Sequence, residues 1–123
     1  MTQDINKLRL LTRSDFDGLV CAVLLKEMGV LGDIKFVHPK DVQDGKIEIT
    51  GDDISTNLPY VEGVHLAFDH HLSETIRIEE MPPNCINDPS AASAARVVYE
   101  YYGGKEAFPR VSEEMLAAVD KHD

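Results

Sequence analysis

The chain has 123 residues, a length that suits one ordinary domain and is short for two. Apolar residues make up 43% of it and charged residues 28%, which is typical of a globular protein and excludes a disordered one. Its 22 acidic and 12 basic residues give a formal net charge of −10, which disfavours broad binding to duplex DNA or an acidic membrane unless cations intervene.

The chain has neither a signal-peptide core at its N-terminus nor an apolar run near the roughly 18 residues of a membrane span. Cys21 and Cys85 lie far apart and indicate neither a disulfide framework nor a thiolate zinc site. We therefore expect a cytoplasmic protein that does not associate with membranes.

Strands and helices alternate along the sequence. The predicted elements, in chain order, are a strand at 7–12, a polar loop at 13–18, a helix at 19–30, a strand at 34–37, a turn at 41–45, strands at 47–50 and 64–68, a helix that opens at 88–89 and ends at 103–104, and a last helix capped by Ser112. The helix at 19–30 is almost wholly apolar, so other layers must cover most of its sides. This order predicts an α/β fold, a three-layer sandwich with a mainly parallel sheet.

Acidic residues follow three of the predicted strands. Asp15 and Asp17 follow the first, Asp52 and Asp53 follow the third, and Asp69 with His70 and His71 follows the fourth. The carboxyl ends of parallel strands meet at one edge of a sheet, which is where ligands of such sheets bind. Carboxylates gathered there need cations to stay ionised, and oxygen ligands with one or two imidazoles suit Mn²⁺ or Mg²⁺.

Each acidic cluster also has a simpler explanation. Asp17 could merely N-cap the helix that follows it, and acidic turns like the one at 51–53 are common. A solvated loop would explain the triplet at 69–71. The joint pattern is more specific than any of its members.

Two other sites use a similar Asp-x-Asp-Gly motif. An EF-hand loop is excluded because Leu19 stands where its next oxygen ligand is required. A haloacid-dehalogenase-type phosphatase stays open as a rival, although residues 12–14 separate the apolar strand from Asp15 and that family has no use for an Asp-His-His triplet.

The order of strand, Asp15-Phe16-Asp17-Gly18, apolar helix, Asp after a middle strand and then Asp69-His70-His71 resembles the DHH phosphoesterase superfamily. The segment 53–71 is most similar to an exopolyphosphatase-like branch, and the helix after residue 88 looks like the one that follows the triplet in this superfamily. The resemblance covers essentially the whole chain and implies a DHH phosphoesterase-like fold. Because the chain stops directly after an amphipathic run, we expect residues 1–123 to be an incomplete DHH catalytic domain, without the second domain that closes over substrate.

The resemblance also implies a site with two metal ions, Mn²⁺ or alternatively Mg²⁺. Its metal ligands would be Asp15, Asp17, Asp53 as the bridging carboxylate (rather than Asp52), His70, and either Asp120 or Asp123. His71 would contact the substrate phosphate, with Asp69 orienting the two histidines.

One departure from the family pattern concerns the residues just before this site. Relatives often carry a metal-binding His or Asp upstream of the first motif, where this chain has Leu11 and Arg13. Arg13 therefore either leaves one metal short of a ligand or itself holds substrate phosphate.

The expected function is metal-dependent hydrolysis of a phosphoanhydride or phosphodiester by two-metal activation of water. Polyphosphate is expected slightly ahead of short oligonucleotides as substrate. The alternatives are an oligonucleotide or cyclic-dinucleotide phosphodiesterase, a non-catalytic phosphate- or nucleotide-binding module, and a metal-free interaction domain. The chain by itself is expected to bind metal poorly and to turn over slowly, and a homodimer is left open.

Overall fold

The computed structural model describes residues 7–72 and 80–122. The strands are β1 (Leu8–Thr12), β2 (Leu31–Phe36), β3 (Asp53–Thr56), β4 (Leu66–Asp69) and β5 (Cys85–Asn87). The helices are α1 (Phe16–Glu27), α2 (Pro39–Gln43), α3 (Ala94–Tyr101) and α4 (Glu113–His122), with a short 3₁₀ helix at Gly104–Glu106.

The five strands form one sheet in the order β2-β1-β3-β4-β5, and every neighbouring pair is parallel. Leu10 and Leu11 point to opposite faces of this sheet and belong to two separate apolar clusters. The larger cluster packs α1, α3 and α4 against one face, and the smaller one packs α2 and the segment before β3 against the other. The predicted α/β fold with a parallel sheet and helices on both faces is confirmed.

Helix α1 begins three residues earlier than the apolar pattern predicts. Asp15 is its N-cap, with Oδ1 accepting a hydrogen bond of 2.8 Å from the Gly18 N–H. The expectation that Asp17 could cap this helix is wrong, because Asp17 lies within its first turn. The cap fixes the point at which the chain leaves β1 and enters the helix.

The third strand lies later than predicted. Residues 47–50 form no strand; Ile47 and Ile49 pack instead against the smaller apolar cluster beneath Leu11. The strand is Asp53–Thr56, all four residues of which are buried although three of them are polar. The apolar residues at 47–50 therefore indicated a buried segment correctly, but the segment that joins the sheet is 53–56.

Asp53 stands at the start of β3, directly opposite Arg9 of β1. The guanidinium donates to both carboxylate oxygens, at 2.8 and 3.0 Å, and the Thr50 N–H donates a third bond at 2.8 Å. Burial opposes ionisation of Asp53, but the hydrogen bonds from Arg9 and Thr50 outweigh it and hold the pKa of Asp53 below its ordinary value. Asp53 is thus the anionic half of a cross-strand ion pair.

Two buried hydroxyl groups join the other ends of β1 and β3. The Thr56 hydroxyl donates to Thr12 Oγ1 at 2.8 Å, and the Thr12 hydroxyl donates to the Thr56 carbonyl oxygen at 3.2 Å. Both residues are the last of their strands and are fully buried. This pair links the carboxyl ends of β1 and β3, directly before Arg13 and Asn57.

The C-terminal half follows the prediction with one shift. Helix α3 begins at Ala94 with Ser93 as its N-cap, whereas Asp88 closes a local turn by accepting from Ser90. Helix α4 begins at Glu113, and Ser112 accepts from Met115 N–H at its start, as predicted. Within the described ranges, no helix has the length and apolar character needed to cross a membrane.

Replacing Gly18 with alanine is expected to destabilise the fold, although alanine is normally the better helix former by about 1 kcal/mol. A Cβ atom at Gly18 would collide with the Arg13 carbonyl oxygen and lie 2.9 Å from Thr12 Oγ1. We expect the free energy of unfolding in urea to fall by about 1–3 kcal/mol. Gly51→Ala is the control, because a Cβ there meets open space and should change stability by less than about 0.5 kcal/mol. A Gly18→Ala variant as stable as the parent would contradict this packing.

Asp53→Asn is expected to lower stability by about 1–3 kcal/mol at neutral pH, because the ion pair with Arg9 is lost. The folded-state pKa of Asp53 lies below the ordinary 3.8, so its stabilising effect is present above the unfolded pKa and is lost as pH falls through the folded one. The difference between parent and variant should therefore shrink below about pH 5. Denaturation series from pH 7 to pH 3 measure it, with the exposed Asp52→Asn as control. A difference independent of pH would contradict the assignment.

Candidate metal and phosphate site

Three neighbouring strands deliver polar side chains to the carboxyl edge of the sheet, the edge at which β1, β3 and β4 end. A cavity of about 200 Å³ lies there, lined by Arg13, Pro39, Gln43, Asn57, Leu58, Pro59, Asp69 and His71. Arg13 follows β1, Asn57 follows β3, and Asp69 ends β4. This is the edge at which the sequence predicts a site.

The Asp-His-His triplet is held together by the Asp69 carboxylate, which is 4% exposed. Asp69 Oδ1 accepts a hydrogen bond of 2.8 Å from the His70 N–H and lies 2.6 Å from His71 Nδ1. One ligand atom from each of Asp69, His70 and His71 can be chosen so that all three lie within 4.8 Å of one another. The triplet is therefore compact enough to hold a cation.

His70 is oriented by the backbone that precedes α3. Its Nδ1 atom lies 3.2 Å from the Ala91 carbonyl oxygen. A carbonyl oxygen only accepts, so Nδ1 carries a proton, and in the neutral ring Nε2 then carries the lone pair. A histidine fixed through one ring nitrogen in this way presents the other as a metal ligand.

His71 is oriented in the same manner by a side chain. Because the Asp69 carboxylate accepts from Nδ1, Nε2 is the nitrogen that the ring offers to a ligand. The His71 side chain is 45% exposed and lines the cavity. This placement is compatible with the predicted contact between His71 and a substrate phosphate.

Arg13 and Asp15 lie side by side at the end of β1. Arg13 Nε is 3.9 Å from Asp15 Oδ2, and both side chains are partly exposed. Both residues also line a second cavity, of about 450 Å³, between the loop after β1 and the start of α2. Arg13 lines both of these cavities.

Asp17 is buried, and its carboxylate joins two helices. One oxygen accepts from the Ala94 N–H at 3.0 Å and the other from the Ala95 N–H at 2.8 Å. These are donors of the first turn of α3, where a negative charge is also favoured by the helix dipole. Cys21 Sγ lies 3.8 Å from the same carboxylate, and burial together with this negative charge raises the pKa of the Cys21 thiol well above its ordinary value. The carboxylate of Asp17 thus serves the packing of α1 on α3.

The predicted convergence of Asp53 with Asp15 and Asp17 is wrong. Asp53 begins β3 rather than following it, so it lies at the opposite, amino edge of the sheet. The physical reason is the ion pair with Arg9, which compensates for the burial of Asp53 at the first position of β3. The strand therefore runs from Asp53 to Thr56 instead of ending before Asp53.

The candidates for the last ligand lie near the C-terminus. The Asp120 carboxylate accepts from the Ser93 hydroxyl at 2.7 Å and from the Arg96 guanidinium at 2.8 and 3.1 Å. Within the described part of the chain, Asp120 does not join the triplet cluster. Asp123 lies outside the described residues.

Sequence reasoning missed Asn57, which takes the position at the end of β3 where an acid was expected. Its φ of 59° is one that Asn tolerates, and its N–H donates to the Phe68 carbonyl oxygen at 2.9 Å. Asn57 is 3% exposed, and its Oδ1 accepts no hydrogen bond from the described residues. The signal that would have found it is a polar residue directly after a buried strand, which the misplaced third strand concealed.

The described donors at this edge fit a divalent cation. Imidazole nitrogen and carboxylate oxygen are ligands that Mn²⁺ accepts, and Asn57 offers a buried amide oxygen beside them. The residues that could hold such an ion are Asp69, His70 and His71, with Asn57 and Asp15 as further oxygen donors at the same edge.

Asp17→Asn is expected to destabilise the fold by about 1–3 kcal/mol, because one of the two oxygens facing backbone N–H groups becomes an NH₂ donor. Asp15→Asn is the matched control, since asparagine caps helices as well as aspartate and this side chain is partly exposed. Urea denaturation of both variants measures the difference. Equal losses of stability would contradict the structural role assigned to Asp17.

No protein-family model matches the sequence, and no curated protein does so either. Among solved structures, the chain is similar to the pGpG-specific phosphodiesterase PggH from Vibrio cholerae, with 60% sequence identity and a TM-score of 0.86. The match covers 95% of this chain and 37% of that chain, so this chain spans little more than a third of the length of that relative.

The match supports a part of the prediction only. The exopolyphosphatase-like branch stays a prediction, because the similar structure is that of a phosphodiesterase. Its fold agrees with the parallel sheet and flanking helices described above. The match to a phosphodiesterase and the Asp-His-His triplet at the carboxyl edge agree with the predicted resemblance to the DHH superfamily of phosphoesterases.

Proposed function

We propose that this chain contributes the catalytic site of a phosphodiesterase that cleaves a short phosphorylated dinucleotide such as pGpG, with Mn²⁺ or Mg²⁺ bound. The observation that carries the proposal is the 60% identity, over 95% of the chain, to a pGpG-specific phosphodiesterase. The site geometry supports it, since metal donors and a cationic side chain border one cavity.

The side chains at the cavity suit a phosphodiester group. Arg13 offers planar N–H donors that match phosphate oxygens. His71, held through Nδ1 by Asp69, offers Nε2; in its doubly protonated form this nitrogen donates to a phosphoryl oxygen or gives a proton to the leaving oxygen. Asp69 keeps the ring in that orientation and stabilises its positive charge.

A divalent cation, when bound, supplies Lewis-acid polarisation of the phosphoryl group and a more acidic water. The protein's part is to place His70 Nε2 and the Asp69 carboxylate at fixed positions before the cation arrives. Phosphoryl transfer depends mainly on such positioning and charge neutralisation, so no serine or cysteine nucleophile is required. Cys21 and Cys85 are both buried.

The similarity to a pGpG-specific phosphodiesterase changes which substrate we propose first. Polyphosphate was expected slightly ahead of oligonucleotides, and that expectation stays untested. The substrate named for the similar protein is a dinucleotide. We therefore propose a dinucleotide first and include polyphosphate in the assay.

His71→Gln is expected to lower the rate of pGpG cleavage by about 10²–10⁴-fold, the usual range for loss of an acid–base residue. Its effect on stability should be small, because the side chain is nearly half exposed. Nucleotide release from pGpG in the presence of Mn²⁺, followed by chromatography, measures the rate. His65→Gln, an exposed histidine before β4, is the control and should retain the parent rate.

The same assay separates the alternatives. Release of phosphate from polyphosphate without cleavage of pGpG would contradict the dinucleotide proposal and favour an exopolyphosphatase. Binding of Mn²⁺ and pGpG without turnover of either substrate would favour a non-catalytic nucleotide-binding module.

A further inference from the structure

The fixed charges at the carboxyl edge are few for a two-metal site. Among the described residues at this edge, Asp15, Asp17, Asp41 and Asp69 contribute four negative charges and Arg13 and Lys35 contribute two positive ones, which leaves about two negative charges with neutral histidines. One divalent cation neutralises that charge, whereas two would leave the edge strongly positive before substrate arrives.

The middle strand supplies no carboxylate to lie between two ions. Asp53 is at the amino edge in its ion pair with Arg9, and the residue that reaches the cavity from β3 is the neutral Asn57. The buried Oδ1 of Asn57, which accepts no hydrogen bond from the described residues, offers one neutral oxygen to a ligand in the cavity. An amide oxygen can serve one cation but lacks the charge and second oxygen of a bridging carboxylate.

Asp17 is poorly placed to serve a second ion. Each of its oxygens already accepts a backbone N–H of α3, and the side chain is 3% exposed. Drawing this carboxylate toward an ion would weaken its hydrogen bonds to two N–H groups of a buried helix end, which is unfavourable because these donors have no water to replace it.

Arg13 lies beside another carboxylate of this edge, Asp15. Its guanidinium lies beside Asp15, which would be the first carboxylate available to another ion, and it lines both cavities at this edge. A fixed positive charge there repels a further cation and attracts phosphoryl oxygens.

We infer that this site takes one divalent cation, held by Asp69 and His70 of the triplet, and that Arg13 supplies the second positive charge to the phosphoryl group. The inference departs from the two ions that the family resemblance implies. It rests on the proposed function for the identity of the phosphoryl ligand, but the number of ions can be measured without turnover.

The test is the number of Mn²⁺ ions bound per chain. The purified protein is saturated with Mn²⁺ and the bound metal is counted by equilibrium dialysis with elemental analysis, while electron paramagnetic resonance separates an isolated Mn²⁺ from a coupled pair. We expect one ion with an uncoupled spectrum. The double variant Arg13→Asp with Asn57→Asp restores two carboxylates and should bind two ions with a coupled spectrum.

Arg110→Asp, combined with the Asn57→Asp change, is the matched control. Arg110 is exposed and lies 3.8 Å from Glu27 at the far end of α1, so the same charge change is made away from the site. This variant should still bind one ion. Thermal unfolding of each variant verifies that it folds, and the count on the parent protein stands independently of all of them.

Each outcome decides between the proposals. Two coupled ions on the parent protein would overturn this inference and leave the phosphodiesterase proposal intact. One ion on the parent and on the Arg13 double variant alike would overturn the role given to Arg13 and Asn57. No bound ion on the parent would overturn both this inference and the proposed metal dependence.

Discussion

The contact on which the rest of the structure depends is that between the Asp17 carboxylate and the two N–H groups that open α3. It connects residues 77 and 78 positions apart in the chain and holds the start of α1 against the start of α3. The loop before α3 in turn provides the Ala91 carbonyl oxygen that orients His70. One buried carboxylate thereby sets both the helix packing and the position of a candidate metal ligand.

The carboxyl edge of the sheet combines a candidate metal-binding triplet with a cationic and a neutral side chain. The triplet is held by hydrogen bonds that the Asp69 carboxylate accepts from His70 and His71, while the residues that follow β1 and β3 at the cavity are Arg13 and Asn57 rather than acids. A guanidinium and a divalent cation both stabilise phosphoryl oxygens, and they differ in what they demand of the protein. A divalent cation needs several oxygen or nitrogen ligands arranged around it, whereas the arginine guanidinium is covalently attached to the chain.

The parts of the fold that follow from local pattern could be predicted. The apolar run before Asp69 marks β4, so the triplet was correctly placed at the end of a strand. Strand β3 could not be found in this way, because its buried polar residues are satisfied by partners far away in sequence. Asp53 meets Arg9 and Thr56 meets Thr12, both 44 positions away. Because the third strand was predicted too early in the chain, Asp53 was expected at the carboxyl edge instead of the amino edge, and Asn57 was not recognised as the residue that follows the strand.

The hydroxyl pair of Thr12 and Thr56 has a consequence for how a ligand is received. Arg13 and Asn57 directly follow these two threonines, so the spacing between their backbones is set by buried hydrogen bonds within the sheet. That spacing is established when the sheet forms. A ligand that binds between Arg13 and Asn57 therefore does not have to order their backbones. The distance between Arg13 and Asn57 at the mouth of the site is therefore set by the sheet itself rather than by the ligand.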